Sequence, residues 1–194
     1  MPILSPAPAR IDADLYADLI DPARLATYPR ESRSYIRIDI SLRAYWHTLF
    51  DTCPLLLDLS GPDGASIFHP FMAWARQEKL SFDWTYFLWV YQWLAQSEFR
   101  DRLSEELLLS MMTASAARWL GYDRNVDDLG VVIGTPLIDG VVVGWKMDSV
   151  YCGLNQVERL EFEEPLPAPD GLFGYFFTPS LRLGHFPGWR PIPR

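Results

Sequence analysis

Apolar and polar positions along the chain divide it into two unlike parts. Residues 1–10 read as a loose, Pro-rich tail, and Asp12 to Tyr28 as one or two short helices. Asp21-Pro22 carries the signature of an N-cap followed by proline at the first helical position. Tyr35-Ile36-Arg37-Ile38-Asp39-Ile40 alternates apolar with polar, which predicts a half-buried strand. Ser41 then caps a short helix through Phe50. Pro54 to Leu59 reads as a compact buried strand closed by the turn Ser60-Gly61-Pro62-Asp63-Gly64. Ser66 to Lys79 predicts a helix with Phe68, Phe71, Met72 and Ala75 on one face; Pro70 must sit in its first turn or kink it. Phe82 to Leu94 is apolar on both faces, and seven of its thirteen residues are aromatic. Strand and buried helix both fit that segment, and its rings and β-branched residues tilt the reading toward strand. Ser97 to Leu120 reads as the longest helix, with Ser97 at its N-cap, Phe99, Leu103, Leu107 and Met111 at helical spacing, and Gly121 as its stop.

After Gly121 the pattern changes. Val131-Val132-Ile133 and Val141-Val142-Val143 flank Asp139-Gly140, a hairpin signal. Leu160 to Phe162 and Phe173 to Phe177 add short strands, joined by a stiff connector through Pro165, Pro167 and Pro169. The fold class is therefore α+β. A mixed, helix-rich N-terminal two-thirds with a short central sheet precedes a β- and loop-rich C-terminal third. The organisation is a tail (1–10), a mixed core (11–126) and a hairpin-and-loop extension (127–194), together one compact domain.

Composition narrows the function classes. The 194 residues are 49% hydrophobic and 22% charged, enough to bury a core. A net charge of −8 and a pI of about 4.8 argue against general nucleic-acid binding, which needs clustered positive charge. Of 17 basic side chains only Lys79 and Lys146 are lysine. No apolar stretch is long enough for a membrane span, and the N-terminus lacks a secretory pattern, so a cytoplasmic location is expected. Cys53 and Cys152 are then expected as free buried thiols rather than a bridge.

Charge is segregated too. Residues 121–175 hold ten acids against Arg124, Lys146 and Arg159, a net of −7. Asp127, Asp128, Glu158, Glu161, Glu163 and Glu164 form a candidate partner-binding surface, since complementary charge speeds association. Tyr175, Phe177 and Trp189 lie among Gly and Pro, where rings reach interfaces more often, and are candidates for the same surface.

Catalytic signatures are sparse. There is no phosphate-cradling GxxxxGK[ST] loop, no GxGxxG, no GxSxG and no HExxH or CxxC pair. No metal or cofactor site is expected. The enzyme alternative is a small hydrolase or transferase using Cys53 with His47, six residues apart, or the clustered carboxylates. A phage or structural assembly component is a third class.

One order of elements carries a resemblance. It runs from Pro54-Leu55-Leu56-Leu57-Asp58-Leu59 through the aromatic run and Ser97-Glu98-Phe99-Arg100-Asp101-Arg102-Leu103. It closes on Trp119-Leu120-Gly121-Tyr122-Asp123-Arg124-Asn125-Val126. Over residues 54–126 this resembles the bacterial type VI secretion effector-adaptor chaperones, with Tyr122, Asp123 and Arg124 in the family-like motif. Gly121 and Arg124-Asn125 depart from the family pattern. The resemblance implies a cytoplasmic, non-enzymatic protein that holds a toxin for loading. The expected function is thus a protein-binding accessory of a toxin or secretion system. It would be either an adaptor chaperone cradling an effector or an immunity protein using acids against its cognate toxin.

Overall fold

A computed structural model describes residues 19–123, 125–146 and 156–194. Its α+β class follows the sequence reading, with helices filling the first two-thirds. The strands expected before residue 120 are helices, and all described strands lie after it.

The first helix, α1 (Pro22–Leu25), starts as expected: Asp21 accepts from the Ala23 N–H at 3.0 Å, and Pro22 takes the first turn. Arg76 forms an ion pair with the same buried carboxylate. Ser32 caps α2 (Arg33–Phe50) by accepting from the Tyr35 N–H at 3.1 Å. The six-residue alternation at Tyr35–Ile40 lies inside this helix. Ile36 is 46% and Ile40 61% exposed, while Ile38 is buried with Leu42, Leu49 and Phe50. The stripe that decides the conformation has helical spacing and extends beyond the alternating window.

The proline-led run is also a helix, α3 (Leu55–Ser60). Pro54 stands at its N-cap and Gly61, at φ 84°, ends it. Proline suits a helix start as well as a strand start, so the run alone was ambiguous. Gly64, at φ 67°, then leads into α4 (Ala65–Gln77), whose buried stripe is Ile67, Phe68, Phe71, Met72 and Ala75. Pro70 occupies the second turn and removes one backbone hydrogen bond there.

The aromatic segment forms α5 (Tyr86–Leu94), in which seven of nine residues are buried. A helix surrounded on all sides has no polar face, which is why its periodicity vanished. Ser97 caps only a short turn, accepting from the Phe99 N–H at 3.2 Å, before the 3₁₀ turn Arg100–Arg102. Arg102 reaches back to the carbonyls of Leu59 (3.1 Å) and Asp58 (3.0 Å), satisfying the C-terminus of α3. The long helix α6 (Glu105–Tyr122) begins later than expected, capped by Ser104, with Glu105 and Glu106 in its first turn.

The sheet is antiparallel, in the order β3-β2-β1-β4-β5: β1 (Gly130–Gly134), β2 (Val141–Trp145), β3 (Gln156–Leu160), β4 (Gly174–Thr178) and β5 (Arg190–Pro191). The expected hairpin forms around Gly140 at φ 84°. The strand expected at Leu160–Phe162 ends at Leu160.

β1 and β2 are buried on both faces. Val131, Ile133 and Val142 face the helices and join the main core. Val132, Val141, Val143, Trp145 and Phe176 face the other way, under Phe162, Leu166, Leu183, Phe186 and Trp189 from the C-terminal loops. The molecule is thus three layers deep, and two-sided burial accounts for the unbroken β-branched runs. The main core includes residues from Ile38 to Ile192. A Cβ on Gly144 would sit 3.2 Å from the Ala116 carbonyl, so this glycine lets α6 lie close against β2.

Candidate ligand cleft

Three segments far apart in sequence meet at one edge of the helix–sheet interface. The α4–α5 loop supplies Phe82, Asp83 and Trp84. The last turn of α6 supplies Arg118, Trp119, Tyr122 and the following Asp123, and β4 supplies Phe177. Between them is an aromatic cleft of about 310 Å³. The loop is shaped locally: Asp83 accepts from both the backbone N–H and the hydroxyl of Thr85 at 2.8 Å. That turn precedes α5 and leaves the Trp84 ring edge-on to Tyr175, with centroids 5.1 Å apart.

Trp119 forms one wall. Its ring stacks on Phe177 at 5.4 Å and 20°, while the Lys146 ammonium sits 4.4 Å above its centroid. Lys146 is itself tied to Asp123 at 2.6 Å and donates to the Asn125 carbonyl at 2.6 Å. The charge of Lys146 is therefore spent within the protein.

Arg118 differs. Its guanidinium lies between the rings of Tyr86 (5.7 Å) and Tyr122 (5.2 Å). It donates one hydrogen bond, from Nη2 to the Phe82 carbonyl at 3.0 Å. Its Nε is buried without an acceptor. No carboxylate among the described residues pairs with it. Cation–π contact stabilises the charge but supplies no acceptor for the N–H edges. The neighbouring Tyr86 hydroxyl is pushed far up by burial, an effect the Arg118 charge partly offsets. Tyr86 is thus a neutral structural ring beneath the cation.

The residues singled out from sequence are dispersed. Phe177 lines the cleft, Tyr175 packs against Trp84 beside it, and Tyr122 (70% exposed) and Asp123 stand at its rim. Arg124 lies outside the described residues, as does Cys152. Trp189 packs on Phe176 and Phe186 and donates to the Pro167 carbonyl at 2.5 Å, so it holds the outer loop layer together.

The six acids lie on three separate stretches. Asp127 and Asp128 are in the loop before β1, where Asn125 donates to Asp128 at 2.8 Å. Glu158, on β3, accepts from the Trp145 indole at 2.6 Å and is engaged internally. Glu161, Glu163 and Glu164 are exposed in the connector after β3, and Glu161 pairs with Arg159 at 3.3 Å.

The Cys53–His47 pair is not assembled. Cys53 is fully buried beside the Ser110 hydroxyl at 3.5 Å, and burial pushes its thiol up, away from the reactive thiolate. The His47 side chain is 63% exposed and pairs with Asp51 on the outer face of α2. Among the described residues no three His, Cys, Asp or Glu side chains come together as a metal site, and no helix is long and apolar enough to cross a membrane.

Arg118, Trp119, Trp84 and Lys146 were not foreseen. A signal for the first did exist: Arg118 is the sole charged residue between Glu106 and Asp123, an isolated cation near the end of a helix whose other charges are the two glutamates of its first turn.

Fold and cleft together define an α+β protein with an aromatic, arginine-lined cleft. A family model described as "Methanobactin biosynthesis cassette protein MbnC-like" matches residues 25–193, nearly the whole chain, and the chain belongs to this MbnC-like family. No curated protein matches it. The family match overturns the type VI adaptor resemblance, and with it the toxin, secretion and immunity readings. The structural reason is plain: the resemblance needed strands at Pro54–Leu59 and in the aromatic run, and both are helices.

Proposed function

We propose that this chain is a binding component of a methanobactin biosynthesis cassette, working beside the cassette's catalysts rather than as one. The family match over residues 25–193 carries the reading. Two features support a binding role. The cleft is walled by rings and holds a cation with an unmet buried donor, the Arg118 Nε, which suits recognition of a ligand. The pair nominated for catalysis is divided between core and solvent.

The test is reconstitution. The cassette is expressed with and without this chain, and its product is followed by mass spectrometry. Product formation should fall away without the chain and return when purified chain is added. The chain alone should leave the precursor unchanged. Undiminished product in its absence overturns the cassette role, and conversion of precursor by the chain alone overturns the non-catalytic role.

A further inference from the structure

We infer that the cleft between the α4–α5 loop, α6 and β4 is a binding site for an aromatic carboxylate: one planar ring system carrying a single carboxylate, seated between Trp84 and Trp119 with its anion on Arg118. The inference goes beyond the cassette role and is read on the purified protein, so either can fail alone.

The shape argues for a ring. The cleft is near the lower end of small-ligand pocket sizes, and Phe82, Trp84, Trp119, Tyr122 and Phe177 present aromatic surface to it. Stacking geometry is already in use there, since Trp119 lies nearly parallel to Phe177.

The charge argues for an anion. Arg118 has no carboxylate partner among the described residues and spends a single donor on the Phe82 carbonyl. A partly buried guanidinium with open N–H groups gains most from a planar, two-oxygen acceptor, which its fork matches. The flanking charges argue for one negative charge rather than two. Lys146 is committed to Asp123, and Asp83 keeps its own carboxylate in the cleft wall, so a dianionic phosphate would meet repulsion with, among the described residues, one free cation to offset it. Tyr122 completes the site. Its exposed ring covers one face of the guanidinium from the rim.

A carboxylate next to an aromatic ring is offered by a free aryl acid and by the C-terminal residue of a polypeptide. The probes are N-acetyl-L-tryptophan, its primary amide, and a five-residue peptide ending in tryptophan with a free or amidated C-terminus. Binding is measured by titration calorimetry on the whole chain, and the Trp84 and Trp119 indole N–H resonances report where the probe sits. At least one carboxylate probe should bind about tenfold or more tighter than its amide. Arg118→Gln should erase that preference, and Tyr122→Ala should weaken acid and amide alike.

Tighter binding of the free acid identifies a small molecule as the source; tighter binding of the peptide identifies a chain end. Either supports the site. Equal affinity for acid and amide overturns it, as does the absence of binding by every probe, or binding that leaves both indole resonances unmoved. The wild-type acid-to-amide ratio decides the matter even if Arg118→Gln fails to fold, and the exposed position of Tyr122 makes its variant the safer second test.

Discussion

Trp119 of α6 lies flat on Phe177 of β4, ring centroids 5.4 Å apart and planes 20° from parallel. This contact joins the helical layer to the sheet and at the same time forms the inner wall of the cleft. Trp119→Ala should therefore destabilise the protein by about 3 kcal/mol, the usual scale for deleting a buried large ring. Phe177→Leu keeps most of the volume and should cost about 1 kcal/mol. Urea denaturation of both variants checks the ratio; a Phe177→Leu loss as large as that of Trp119→Ala would mean that the ring stack, and not the volume removed, sets the cost.

Two glycines should respond in opposite directions to alanine. Gly64 has φ 67°, and a Cβ there would lie 2.4 Å from the Phe50 ring. Gly64→Ala should cost about 2 kcal/mol or more, from left-handed strain plus the clash. Gly121 lies in the last turn of α6 with open space around it. Gly121→Ala should raise stability by up to about 1 kcal/mol. Melting temperatures of the pair provide the comparison.

Stability should fall at alkaline pH. Burial raises the Tyr86 and Tyr91 hydroxyls from 10.0 and the Cys53 thiol from 9.0 in the folded protein. Above pH 9 to 10 the unfolded chain loses these protons while the folded chain retains them, so rising pH favours unfolding. Each such group contributes up to about 1.4 kcal/mol per pH unit in that window. Thermal melts from pH 7 to 11 should show the decline, and Tyr86→Phe should make it shallower. An unchanged slope in that variant would remove Tyr86 from the account.

Cys53→Ala should lower stability by about 1 kcal/mol through a small cavity, and leave cassette function intact. The thiol is enclosed and accepts from the Ser110 hydroxyl at 3.5 Å. Loss of product in a well-folded Cys53→Ala variant, scored in the reconstituted cassette, would revive a reactive role for this residue.

The elements read correctly from sequence were those with a one-sided environment or a local chemical signal. Ala65–Gln77 shows its buried stripe because its opposite face is polar. Asp21-Pro22 and Asp139-Gly140 act through their own backbone chemistry and need no distant partner. The misread elements lacked those cues. Tyr35–Ile40 was judged on too short a window, and Tyr86–Leu94 has no polar face at all. Within the candidate site, Tyr122, Asp123, Tyr175 and Phe177 were singled out for other reasons and do gather at or beside the cleft. Arg118 and Trp84 were overlooked, because an arginine's missing partner is visible only in three dimensions.

The sequence by itself determined the α+β class, the C-terminal hairpin, the acidic balance and the helix start at Asp21-Pro22. All of these follow from composition or from interactions between near neighbours. Only the tertiary structure decided that the apolar runs at Leu55–Ser60 and Tyr86–Leu94 are helices, since their conformation is selected by what surrounds them. It alone assembled the cleft, because Trp84, Arg118 and Phe177 are distant along the chain and meet only when α6 packs against the sheet.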